Sequence, residues 1–202
     1  MAGQSNTSLQ PPRIRGGIVS TSIHWVRDVY GEALLQRVLG RLTPEERTAF
    51  SGTILPISWY PLSSWMAFLD ACRAEVREHF GEDGDIFDRR SLREPGGRFL
   101  QTIYRFVLSF VRPETTISKL PLIIDRTFDQ GSTEVLQNRP GFCLIRFQGP
   151  ASMYLHIKRF GVGSASFLLE YSGASDIQAT LTRNELSAGN YVLEVSVSYQ
   201  VK

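Results

Sequence analysis

TEVLQNRPGFCLIRF, residues 133–147, is the stretch on which the fold class turns. Thr133 to Gln137 and Phe142 to Phe147 are rich in β-branched and aromatic residues. Asn138-Arg139-Pro140-Gly141 between them has the composition of a tight turn, so the segment reads as two antiparallel strands. Towards the C-terminus, Met153, Ile157, Phe160, Phe167, Leu168 and Tyr171 recur at helical spacing. Asp176 to Thr182 and Tyr191 to Tyr199 then alternate as two further strands, with a turn through Ser187-Ala188-Gly189-Asn190. In the last strand Leu193, Val195, Val197 and Tyr199 share one face. This half therefore reads ββαββ.

Everything before it is helical. A first helix is expected from about Ser22 to Leu39, with Trp25, Val29, Leu34, Leu35, Val38 and Leu39 on its apolar stripe. Thr43-Pro44-Glu45-Glu46 is a helix start: threonine caps free amides, proline suits the first turn, and Glu46 completes a capping box. Ile54 to Pro61 is an extended connector. Leu62, Trp65, Met66, Leu69, Cys72 and Val76 form the clearest amphipathic helix, ended by Gly81 to Asp85. Phe99 to Val111 is apolar all round, as for a buried helix. Pro113 starts another helix, which Pro121 divides and Gly131 closes. Segregated helices and strands define an α+β fold, with an N-terminal helical layer followed by a small antiparallel sheet of ββαββ order.

The 202 residues suit one domain over 17–202, preceded by a disordered N-terminal arm over residues 1–16 that is rich in Gly, Ser, Gln, Asn and Pro. Apolar residues make up 42% and charged residues 21%, ordinary globular values. Lys plus Arg (22) nearly balance Asp plus Glu (20), too even a charge to argue for nucleic acid by itself, and no nucleic-acid partner is expected. No apolar stretch approaches the roughly 18 to 20 residues that span a bilayer, and the start lacks a secretory h-region, so a cytoplasmic protein is expected. Cys72 and Cys143 fall on an apolar helix face and within a strand, as buried inert thiols.

Catalytic and metal signatures are not found. His24, His79 and His156 stand on different helices, without the close ligand spacing of a metal site. Gly161-Val-Gly163-Ser-Ala-Ser166 lies inside a helical pattern, where close packing on the sheet explains it better than a dinucleotide loop. Glu82, Asp83, Asp85 and Asp88 read as a solvated acidic loop, because an EF-hand's central glycine and distal glutamate are misplaced or missing. No nucleophile elbow or Cys/His signature occurs. Two groups of residues remain. Trp25, Trp59, Tyr60, Trp65, Phe68 and Tyr104 are candidates to line an apolar pocket between helices. Arg89, Arg90 and Arg93 are candidates for a surface meeting an acidic protein partner.

The run HWVRDVYGEALLQRVLGRLTPEERTAFSGTILPISWYPLSSWMAFLDA, residues 24–71, resembles the front half of a myxobacterial paralogous family of unassigned function. Trp25, Gly31, Pro44 to Arg47, Ser51 to Pro56 and Trp59 to Pro61 carry the resemblance, and Tyr171 to Tyr199 is similar to the family's end. That family is distantly similar to haem-NO-binding and 4-vinyl-reductase domains and to transport-particle subunits. Such relatives combine helices with a small antiparallel sheet, and several hold haem or an apolar ligand between them. The resemblance transfers no functional residue. Where haem-binding relatives have an axial histidine, this chain has Phe128-Asp129, and no Tyr-x-Ser-x-Arg motif follows. Where zinc-bearing relatives have a cysteine, it has Leu193. Neither cofactor is expected.

The sequence thus points first to a non-catalytic regulatory or adaptor domain. It would act through a protein partner, with an apolar small-molecule pocket and a homodimer both open. A ligand sensor of the haem-NO-binding kind is the alternative, and an uncharacterised enzyme the second alternative.

Overall fold

The computed structural model describes residues 10–108 and 112–201, for residues 99–108 as backbone only. The chain opens with strand β1 (Arg13–Arg15), then helices α1 (Gly16–Tyr30), α2 (Glu32–Arg41) and α3 (Pro44–Thr48). Strand β2 (Trp59–Pro61) leads into α4 (Leu62–Phe80) and α5 (Gly84–Leu108), followed by α6 (Pro113–Ser118) and α7 (Leu120–Thr127). Strands β3 (Ser132–Arg139) and β4 (Phe142–Pro150), a 3-10 turn, α8 (Tyr154–Tyr171), β5 (Ala174–Leu186) and β6 (Asn190–Val201) complete it. It is a mixed α+β fold. No helix among the described residues is long and apolar enough to cross a membrane.

The main sheet has the order β3-β4-β6-β5 and is antiparallel throughout. Its register sets Phe147 opposite Leu193, Ile145 opposite Val195 and Cys143 opposite Val197. All six side chains are buried, so one face of the sheet is a continuous apolar floor. Helix α8 lies on that floor. Its two glycines serve different neighbours: a Cβ on Gly161 would stand 3.6 Å from the Phe147 ring, whereas one on Gly163 would stand 2.6 Å from Leu92 Cδ2 of α5. The first fits the expected close packing on the sheet; the second packs against a helix instead.

Three boundaries differ from the sequence reading. The single helix expected over 22–39 is two, because Gly31 breaks it at φ 87°, a conformation glycine adopts without a Cβ penalty. The arm expected to reach residue 16 is ordered structure at its end. Arg13–Arg15 pair with Trp59–Pro61, Ile14 is fully buried, and both the Arg13 backbone N–H and Nε donate to the Asp129 carboxylate at 2.7 Å. The acidic stretch Glu82 to Asp88, expected as a loop, is mostly helix. Gly81 ends α4 in the left-handed region, the Asp83 carboxylate accepts the Asp85 N–H at 2.8 Å, and α5 runs on through Pro95. Its buried stripe, Gly84, Phe87, Ser91 and Pro95, is too small and polar to show as an apolar periodicity. The Thr43–Glu46 capping box is present with both of its hydrogen bonds.

The β1–α1 corner depends on one absent side chain. A Cβ on Gly16 would stand 2.2 Å from the Leu55 carbonyl oxygen and 2.6 Å from Tyr60 Cε2, while the Gly16 N–H donates to Ser58 O at 2.8 Å. Gly16→Ala must displace backbone rather than a flexible side-chain end. A stability loss of about 2 kcal/mol is expected in urea unfolding.

Candidate functional site

Where α4, α5, α7 and α8 meet the sheet floor they leave a cavity of about 110 Å3. Ile14 of β1, Trp65 of α4, Leu92 and Gly96 of α5, Ile123, Ile124 and Thr127 of α7, Phe128 and Phe147 all reach it. Helix α8 contributes the longest wall: His156, Ile157, Phe160, Gly161, Ser164, Phe167 and Leu168. Among the described residues the lining has no Asp, Glu, Lys or Arg. Two of its hydroxyls are bonded within their own helices: Thr127 Oγ1 donates to Ile123 O at 2.7 Å, and Ser164 Oγ to Phe160 O at 2.9 Å.

His156 is the titratable side chain of this lining. It is buried among rings, with centroids 5.0 Å from Phe128, 5.1 Å from Phe160 and 5.3 Å from Trp65. Burial, helped by the nearby Arg159 charge, pushes its pKa down to about 3. The imidazole is therefore neutral at physiological pH. Its Nδ1 lies 3.2 Å from Met66 Sδ. A thioether only accepts, so Nδ1 carries the proton in this contact.

The aromatic residues singled out in sequence separate in space. Trp65 lines the cavity. Trp25 is buried elsewhere, against Phe87 at 5.6 Å and Tyr30 at 5.7 Å, with its Nε1–H donated to Glu94. Phe68 packs on Phe50. Trp59 lies beneath the Arg15 guanidinium at 3.8 Å, and Tyr60 Oη accepts the Leu55 N–H at 3.0 Å. The Tyr104 side chain is outside the described residues. Sequence reasoning missed Phe128, Phe160 and His156. A buried histidine flanked at helical spacing by apolar residues was the available signal.

Of the three arginines, Arg90 and Arg93 line a surface groove of about 700 Å3 with Glu94, Arg98, Phe167, Glu170 and Tyr171. Both are engaged within the chain: Arg90 with Glu82 and Glu94, Arg93 with Glu170. Arg89 borders a separate depression with Arg73, Asp85 and Asp88. The acidic stretch is not simply solvated, because Glu82 binds Arg90 and Tyr30, and Asp88 binds Arg159. One histidine does gain carboxylate neighbours: Glu75, Glu78 and His79 bring ligand atoms within 4.8 Å of one another on α4. Both Glu75 oxygens, however, accept from guanidinium groups, of Arg37 at 2.8 Å and of Arg41. Burial alone would raise the Glu75 pKa, but those bonds together with the charges of Arg41 and His79 hold the carboxyl below its usual range. Both Glu75 oxygens are thus already engaged by arginine side chains.

No protein-family model and no curated protein sequence matches the chain. Solved structures do match over nearly its whole length. A Cs H-NOX mutant carrying the unnatural amino acid 4-cyano-L-phenylalanine is 12% identical with a TM-score of 0.69, covering 93% of this chain and 97% of its own. Unliganded Fe(II) H-NOX from K. algicida is 12% identical at 0.68, covering 94% and 98%. An oxygen-binding H-NOX domain related to soluble guanylate cyclases, in its oxygen complex, is 12% identical at 0.67, covering 93% and 96%. The chain has the H-NOX fold, and its similarity to those domains is distant.

Proposed function

We propose that the chain is a non-catalytic ligand-binding sensor domain that takes a small apolar molecule into the cavity between its helices and sheet. The observation carrying this reading is an uncharged, mostly apolar cavity at the helix–sheet junction of an H-NOX fold. The fold neighbours favour a sensor over a pure adaptor, because they include an oxygen-binding domain in its oxygen complex. Helix α8 supplies both the longest cavity wall and, through Arg159, ion pairs to Asp70 of α4 and Asp88 of α5. A ligand that shifts α8 would be felt across the helical layer and passed to a protein partner.

Haem does not fit these residues. Its propionates require cations or water, and among the described residues the lining has neither Lys nor Arg. The space of about 110 Å3 is well below the roughly 300 to 1,000 Å3 of pockets for large ligands. An engineered apolar cavity of about 150 Å3 takes benzene or xenon, and that is the applicable scale.

Xenon is the direct probe. Xenon-129 NMR on the intact chain should report a bound site, and Ile124→Phe, which places a ring into the lining, should weaken it about tenfold or more. A wild-type protein with no xenon site removes the basis of this reading.

A further inference from the structure

The cavity has one polar feature that its apolar chemistry does not explain. Trp65 is 6% exposed and lines the cavity, and its Nε1–H has no hydrogen-bond partner among the described residues. The other tryptophan buried in the helical layer, Trp25, donates its Nε1–H to a carboxylate. A buried donor left unmade is unfavourable, and such a group calls for an explanation. Nearby groups do not supply one. The Trp65 Nε1–H reaches neither the acceptor nitrogen of His156 nor the Thr127 and Ser164 oxygens, whose protons are donated within their own helices.

We infer that the ligand is a small, uncharged carbonyl compound whose oxygen accepts the hydrogen bond of Trp65 Nε1–H while its hydrocarbon body fills the apolar cavity. This rests on the sensor reading above and narrows it to a ligand class. A charged ligand is disfavoured because the described lining carries no counter-charge. The neutral His156 keeps that environment uncharged at physiological pH. A pure hydrocarbon would fill the space but leave the indole donor unpaired. A buried donor in the lining discriminates through the cost of leaving that donor unmet.

The test uses a shape-matched pair, cyclopentanone and methylenecyclopentane, with the intact protein and Trp65→Phe. Comparing each ligand between the two proteins cancels the ketone's greater cost of leaving water. Cyclopentanone is expected to bind Trp65→Phe about tenfold more weakly than wild type, with methylenecyclopentane changing little. In nitrogen-15-labelled wild type, the Trp65 indole N–H resonance should move downfield with the ketone and not with the hydrocarbon. That measurement needs no substitution and stands even if Trp65→Phe fails to fold. Equal changes for both ligands, an unmoved indole resonance, or hydrocarbon binding without ketone binding would each overturn the inference and leave the apolar-cavity reading intact. Failure of both ligands to bind wild type, together with no xenon site, would overturn both.

Discussion

Lowering the pH from 6.5 to 4.5 should destabilise the protein by about 2–3 kcal/mol through a single side chain, His156. Its pKa is about 3 in the fold against 6.5 as the ordinary value, so the unfolded chain binds a proton that the native chain refuses. A depressed folded pKa gives stability that is fully present above 6.5 and lost progressively as the pH falls towards 3. Comparison with His156→Leu, rather than the window alone, isolates this group, because Glu32, Glu75, Glu185 and Glu194 all have lowered folded values and contribute near pH 4.5. Carboxylates with lowered folded pKa values, such as Glu75 and Glu194, begin to cost stability only once the pH approaches the ordinary value of 4.5. Urea unfolding at half-unit pH steps should therefore show a decline in wild type that His156→Leu largely removes. At neutral pH the variant should differ little, since leucine replaces a neutral ring among Phe128, Phe160 and Trp65. If both proteins decline in parallel from pH 6.5 to 4.5, the imidazole is not held neutral by burial. The same titration bears on function, because a protonated His156 would bring a charge into an otherwise apolar lining.

The places where sequence reading succeeded share a local cause. The capping box at Thr43, the α4 stripe, the turn at Asn138–Gly141 and the alternation of β6 are each set within a few residues. The failures are non-local. Ile14 is buried because β2, over forty residues away, pairs with a strand too short to show any period. Helix α5 was obscured because its buried stripe is Gly, Phe, Ser and Pro, and because Pro95 argues against a continuous helix. Of the candidate pocket residues only Trp65 falls on the cavity among the described side chains, for a related reason. Tryptophans and phenylalanines attract notice by size, yet Trp25 and Phe68 fill core that would exist without a pocket. Whether an apolar helix face meets a neighbour or leaves space is decided by the packing of several elements, and no one segment encodes it. The resemblance to haem-NO-binding domains anticipated the fold.

Arg159→Met should cost about 3 kcal/mol in urea unfolding, the low end for breaking a buried ion pair. The guanidinium donates Nε–H to Asp88 Oδ2 at 2.7 Å, closes a second bond to the other Asp88 oxygen, and reaches Asp70 Oδ1 at 2.5 Å. The Arg159 and Asp88 side chains are only 16% and 13% exposed, so the pair is largely removed from water. Deleting the arginine strands Asp88 with Arg73 as its nearest remaining cation, at 3.9 Å. That residual contact is why the smaller loss is expected. Arg159→Lys should recover little, because one ammonium cannot reproduce the forked contact. Replacing both partners, Arg159→Met with Asp88→Leu, should recover most of the loss, since it leaves no unpaired buried charge. The double variant then separates stability from coupling. It retains α8 against the sheet through Ile157, Phe160 and Leu168, but lacks the polar tie that links this cavity wall to α4 and α5. If the tie transmits occupancy, the double variant should still bind xenon, while ligand-induced protection of α4 and α5 amides from hydrogen exchange disappears. Protection that persists there would mean that α8 communicates with the helical layer through apolar packing alone.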